Sequence, residues 1–371
     1  MRQGIPQAAW LAVLALLLQG LVSVPASAAD TISFEDVEIG MTGQGRTVVL
    51  GTTVESFDVE VIGKLENVAP RRNIILARLS GGPLAHTGVL EGMSGSPVYL
   101  DGKLAGAVAY SWGFSKEPIC GITPIEEMLD LWTRESTGRT AAVRRTAPGS
   151  LELFARPARL STFMSDRLRT LAGAGPAGGL LPIRIPLLLG GGPRGGAAGA
   201  GLAAMEEAFH SIGLSPVRAA GAGESDEEPG DLVPGSALAV QLVRGDVEVA
   251  GIGTVTYVRD DRILAFGHPM FMLGPTSLPM TRAVVHGVLP SQATSFKLAS
   301  SGSAAGVVTQ DRFPGLSGST AGDPPLVPVN VTLTSDGDRA TSFTYEIAED
   351  PLNTPVMLHD TLQEILATAQ K

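Results

Sequence analysis

Ser94 stands in the stretch Gly92-Met-Ser-Gly-Ser-Pro97, a setting that suits a nucleophile. A nucleophilic serine needs its hydroxyl on a sharp turn, with backbone N–H groups converging on the oxyanion that forms during attack. Glycines on either side of Ser94 let the backbone turn that tightly and point the Gly92 and Ser94 N–H groups the same way. The chemistry implied is acyl transfer to a hydroxyl, with Gly92 and Ser94 forming the oxyanion hole. The same six residues also suit a glycine-rich structural turn, so the motif calls for a base.

Ile263-Leu-Ala-Phe-Gly-His-Pro269 supplies one: a strand that delivers His268 at its end, between glycine and proline. Histidine is the usual partner of a serine because its pKa lies near working pH. A buried structural histidine is the competing reading. His86, His210, His286 and His359 sit in polar, helical or core-edge contexts. None of the five has ligand spacing, which argues against a metal site. A third group should orient the base. Asp311, in Thr309-Gln-Asp-Arg312, is the preferred acid, with Asp58, Asp260 and Asp261 as alternatives.

The elements that must hold these residues read as short strands. Arg46–Leu50, Phe57–Ile62 and Asn73–Arg78 are rich in β-branched residues, and Asp58 and Glu60 alternate with Val59 and Val61. Val98–Leu100 and Lys103–Tyr110 flank Asp101-Gly102, a tight hairpin turn. Thr123 as cap and Pro124 as first helical residue announce a helix through Trp132. From Ser236 onward strands return at Leu238–Arg244, Val247–Val258, Ile263–Phe266, Ser295–Leu298, Leu326–Thr334 and Ser342–Ile347. A helix over His359–Gln370 closes the chain. Between the halves lie Gly-Ala-Gly triplets and the acidic run Glu224–Glu228, with the composition of a linker. Within it Leu181–Leu189 reads as a strand and Leu202–Ile212 as a helix.

Bulk properties narrow the class. Arg2, an apolar run from Ala8 to Val24 and Ala26-Ser27-Ala28 read as a signal peptide over 1–28, so the protein is expected to be exported and extracytoplasmic or periplasmic. A net charge of −10 gives no reason to expect nucleic acid. The single cysteine, Cys120, forms no internal disulfide and reads as a buried thiol. Glycine (46) and proline (26) are abundant, which favours turns and strands over helical bundles.

Gly92–Pro97, taken with Gly253-Thr-Val-Thr-Tyr257 leading to Phe266-Gly-His268, resembles the SpoIVB family of sporulation serine peptidases. Gly92 to Trp132 also resembles the end of a trypsin-like domain, with Ser111-Trp-Gly113 after the hairpin. The resemblance implies Ser94 as nucleophile and His268 as base. It also implies a mainly β fold of two chymotrypsin-like antiparallel β-barrel subdomains, with a few short helices. In that family histidine precedes serine; here serine comes first, so the barrels stand in permuted order. The family's acid lies shortly before its serine, but the matching stretch, Arg78–Pro83, has no aspartate. The expected organisation is a nucleophile-bearing subdomain over 29–134, a flexible linker or insert over 135–234 and a histidine-bearing subdomain over 235–371. The expected activity is that of a serine endopeptidase with no cofactor and no metal, acting on envelope proteins or peptides or on itself. The alternative is a catalytically silent envelope scaffold or sensor that keeps the fold and binds peptides by strand addition. A third reading is an esterase-like hydrolase.

Overall fold

Period-two alternation builds the first sheet. Phe57, Val59 and Val61 are buried, while Asp58 and Glu60 between them face solvent. The computed structural model describes residues 31–137, 179–191, 206, 209–210, 213–218, 230–334, 340–351 and 353–369. The chain is mainly β with few helices, as expected.

The first sheet comprises β1 (Thr42–Val48), β2 (Val54–Ala69), β3 (Arg72–Ser80), β4 (Pro97–Leu100), β5 (Lys103–Trp112), β6 (Ile119–Pro124) and β7 (Leu180–Pro182). Antiparallel pairing runs β4-β1-β2-β3-β6-β5, and β5 returns to β4, which closes a six-stranded barrel. Phe57, Ile75, Leu79, Leu100, Val108 and Ile122 fill it. Cys120 is also buried there, and burial pushes its thiol up, away from reactivity.

The second sheet comprises β8 (Ile185–Gly191), β9 (Leu214–Arg218), β10 (Ala237–Gly245), β11 (Val247–Arg259), β12 (Arg262–Ala265), β13 (Gly274–Leu289), β14 (Phe296–Arg312), β15 (Gly315–Ser319), β16 (Leu326–Thr334) and β17 (Ala340–Ala348). The circuit β10-β13-β14-β15-β12-β11, back to β10, closes a second six-stranded antiparallel barrel. Strands β8 and β9 extend it from β11, and β17 and β16 from β10. Closure leaves neither barrel core with a bare strand edge. The helices include α1 (Leu84–Thr87), α2 (Ile125–Thr137) and α3 (Asn353–Ala369).

Three local expectations change. Thr123 and Pro124 end β6 instead of opening the helix, and the Thr123 hydroxyl donates to the carbonyl of Gly267, 2.6 Å away in the second barrel. Strand pairing thus takes the residue that looked like a cap. Leu181–Leu189 is two strands, not one: β7 joins the first barrel and β8 the second. The stretch assigned to a linker therefore contributes β7, β8 and β9 to the sheets; the remainder of 135–234 lies mostly outside the described residues, as does most of the Leu202–Ile212 helix. Strands β13 and β15, and most of β14, carry proline, glycine or serine where alternation would be read, and bulges shift their register. The signal-peptide reading falls on residues 1–28, outside the described residues.

The barrels meet through the backbone. Gly51 and Val285 exchange N–H···O bonds of 2.6 and 2.9 Å. Glu91 N–H donates to the carbonyl of Ser295 at 2.9 Å, and Lys297 N–H to that of Glu91 at 3.1 Å. These last two bonds lie immediately before the serine turn.

Candidate functional site

The serine turn is clamped from both barrels. Gly95 N–H donates to the Val108 carbonyl at 2.8 Å, and Val108 N–H to the Ser96 carbonyl at 3.0 Å, fixing the turn on β5. From the second barrel, Thr254 N–H donates to the Ser94 carbonyl (2.9 Å), its hydroxyl to the Gly92 carbonyl (2.9 Å), and the Thr256 hydroxyl to that of Gly95 (2.7 Å). A side chain at Gly95 is excluded: its Cβ would lie 2.0 Å from the Thr254 oxygen, on a backbone with φ +96°. The N–H groups of Met93 and Ser96 donate to Leu90 and Met93. Those of Gly92 and Ser94 make no hydrogen bond among the described residues. They are the two donors an oxyanion would need.

The histidine turn follows β12. Phe266 and Gly267 both have φ +69°, an uncommon geometry for phenylalanine. Phe266 N–H donates to the Thr254 carbonyl at 3.2 Å, so Thr254 lies between the Ser94 and Phe266 backbones. A Cβ on Gly267 would sit 3.4 Å from the Val108 carbonyl, the oxygen that already accepts from Gly95. The two turns therefore converge on one peptide group of β5.

His268 is buried, and its Nδ1 lies 2.9 Å from the Pro269 carbonyl. A carbonyl only accepts, so Nδ1 carries the proton of the neutral ring and Nε2 keeps its lone pair. Burial pushes the ring down to about 4, against the Pro269 and Ile183 backbones, which favour the charged form. At neutral pH it is an imidazole, the form a general base requires. Ser94 is likewise buried. Ser94 Oγ and His268 Nε2 each lack a hydrogen bond among the described residues, and they make none to each other.

Asp311 does not reach the ring, whose Nδ1 is taken by Pro269. The Asp311 carboxylate instead accepts from the backbone N–H groups of Met270 (2.9 Å), Phe271 (2.7 Å) and Leu273 (3.3 Å). Burial raises it to about 6 despite those bonds. It staples the turn that follows His268. Asp58 is exposed on β2, and Asp261 accepts from the Ser319 hydroxyl at the β11–β12 turn that Asp260 also forms. None of these three hydrogen-bonds His268.

Two charged residues escaped the sequence reading. Lys297 is fully buried under the serine turn, where its methylenes pack 3.3–3.4 Å from the position a Gly92 Cβ would take. Its Nζ donates to Thr47 Oγ1 at 2.7 Å and to Thr254 Oγ1 at 3.5 Å, and burial pushes it down to about 7. Alternation in Ser295-Phe-Lys-Leu298 would put the lysine in solvent. Instead Lys297 is inside and Leu298 is 38% exposed, so no local signal could have placed it. Glu91, also buried, is raised to about 7 by burial, with Ser215 and Arg184 acting in the opposite sense.

Two closed antiparallel barrels that meet at a buried serine turn and a buried histidine turn define a double-barrel β protein. Residues 27–129 match the family model described as SpoIVB peptidase S55, so the serine-bearing barrel is similar to that peptidase family, and a SpoIVB-like serine peptidase is supported at family level. The match ends well before His268. No curated protein and no solved structure matches the chain.

Proposed function

We propose that the chain is an exported serine endopeptidase of the SpoIVB type, with Ser94 as nucleophile and His268 as general base. The observation that carries this reading is the state of three groups at one junction. An imidazole with a free Nε2, a serine with a free Oγ and two unpartnered N–H groups are held on turns that share Thr254 and Val108. In the proposed reaction Ser94 Oγ attacks a peptide carbonyl while His268 Nε2 takes its proton. The Gly92 and Ser94 N–H groups hold the oxyanion, and His268 returns the proton to the leaving amine. Asp311 serves as a positioning residue that fixes the 270–273 turn and through it the ring. The substrates are proteins or peptides of the cell envelope, or the chain itself.

The test is a serine-reactive phosphonate followed by mass spectrometry. Labelling at Ser94 that disappears in Ser94→Ala and His268→Ala supports the reading; labelling of neither serine in the turn, or equal labelling of Ser96, overturns it. One observation favours a silent, peptide-binding scaffold instead: among the described residues the ring has no carboxylate partner, and it makes no hydrogen bond to Ser94 Oγ. That reading expects no labelling but retained peptide binding.

A further inference from the structure

We propose that residues Leu180–Ile183 occupy the peptide-binding edge of this site in cis, and that they define its substrate class as extended peptides with a buried aliphatic residue at the position of Ile183. The inference rests on the Ser94–His268 reading above. It starts from the edge of β5. Along that edge Pro97 pairs with Ala107, and the serine turn then takes Val108 through Gly95 and Ser96. Beyond Val108 the same edge is free of the barrel, and β7 fills it. Ile183 N–H donates to the Ala109 carbonyl at 2.9 Å, and Pro182, Leu181 and Leu180 pair antiparallel with Tyr110, Ser111 and Trp112. The added strand and the serine turn thus lie end to end on one strand edge. The chain of β7 runs toward the serine turn, and Ile183 bonds to Ala109 beside the Val108 carbonyl that Gly95 takes.

Burial fits a bound peptide. Leu181 is 54% exposed and Arg184 is exposed, while Ile183, at 3%, is buried in the same apolar cluster as Met93 and Val108. The Ile183 backbone lies against the His268 ring. After Arg184 the chain enters β8 and pairs with β11, so the segment passes from one barrel to the other across the junction. This path accounts for a serine and a histidine that are both closed to solvent. Strand addition with one side chain in a pocket is how extended peptides are commonly held: the main chain gives affinity and the pocket gives selectivity. A substrate in trans must displace β7 first.

The experiment compares the full chain with Ile183→Asp and with the milder Leu181→Glu, which alters an exposed residue. Turnover of Leu-Leu-Pro-Ile and Leu-Leu-Pro-Asp aminocoumarin peptides is measured, and Ser94 phosphonate labelling is followed in every variant. The expected result is at least tenfold faster labelling in Ile183→Asp, with little change in the exposed-site control Leu181→Glu, and cleavage of the isoleucine peptide only. Amide exchange in wild type should also rise over 180–183 when a Leu-Leu-Pro-Val diphenyl phosphonate reacts, and this readout does not depend on a variant folding. Labelling at Ser94 with no gain on loosening, or with protection of 180–183 unchanged by the probe, overturns the inference and leaves the peptidase reading standing. No Ser94 labelling in any variant overturns the peptidase reading itself.

Discussion

The backbone N–H of Thr254 donates to the carbonyl of Ser94 across the barrel boundary, at 2.9 Å. The candidate nucleophile is thereby held by a strand of the other barrel. Thr254 also gives its hydroxyl to Gly92 and receives Lys297. Thr254→Val keeps the β-branched shape and the N–H but removes the hydroxyl. The Gly92 carbonyl and the Lys297 ammonium then lose a partner inside the protein, which should cost about 1–3 kcal/mol. Urea unfolding should report that loss, and Ser94 labelling should slow more than labelling of an exposed control residue.

Gly95→Ala should be more severe. The new Cβ would press on the Thr254 carbonyl oxygen and the Phe266 nitrogen, at 2.0 and 2.5 Å, and neither is free to move without parting the barrels. A loss of about 3 kcal/mol or more is expected, with α2 and β11 losing amide protection together. Unchanged stability would mean that Gly95 is not packed against the Thr254 and Phe266 backbones.

Asp311→Asn separates two roles. As a staple for three backbone N–H groups, the carboxylate loses an acceptor and gains a clashing donor, so about 2 kcal/mol of stability should go. Turnover should fall modestly, by about tenfold. A fall of about 10⁴ with stability intact is the mark of an acid that orients the ring directly, and would reinstate Asp311 in that role.

What the sequence made legible follows from where each signal lives. Ser94 and His268 stand beside glycines whose positive φ the turns require, so local chemistry pointed to them. β2, β4 and β5 were readable because one face is buried and the other is not, or because Asp101-Gly102 marks the turn between them. Thr123 was misread and Lys297 was missed because their partners lie more than a hundred residues away, and β7 was not told from β8 because its partner edge, Tyr110–Trp112, lies far back in the chain. A strand completed by a distant chain looks like a linker until the partner edge is known.

Lys297 sets a pH test. Its folded value is near 7, against 10.5 ordinarily, so between those values the unfolded chain binds the proton and the folded chain does not. Stability should therefore rise as pH climbs from 7 toward 10.5, by something on the order of 5 kcal/mol. Lys297→Met should flatten that rise and be more stable than wild type at pH 7. Denaturant melts of the two proteins across this range provide the measurement, and parallel curves would show that the lysine reaches solvent.

His268 sets the converse test at acid pH. The ring's folded value is about 4 and its ordinary value 6.5, so the unfolded chain takes up a proton first as pH falls. This contribution is absent above about 6.5 and destabilises progressively down to about 4. Glu91 and Asp311, raised to about 7 and about 6, act in the opposite direction over part of the same window. The comparison must therefore be wild type against His268→Gln, in which only the imidazole is removed. The stability of wild type relative to the variant should fall as pH drops from 6.5 to 4. The rate of Ser94 labelling carries the same signature. In wild type its acid limb should lie well below 6.5, because a covered ring resists protonation. In Ile183→Asp, where the backbone against the ring is loosened, the limb should move up toward 6.5. An acid limb that stays fixed between the two proteins would mean that the Leu180–Ile183 segment is not what keeps His268 dry.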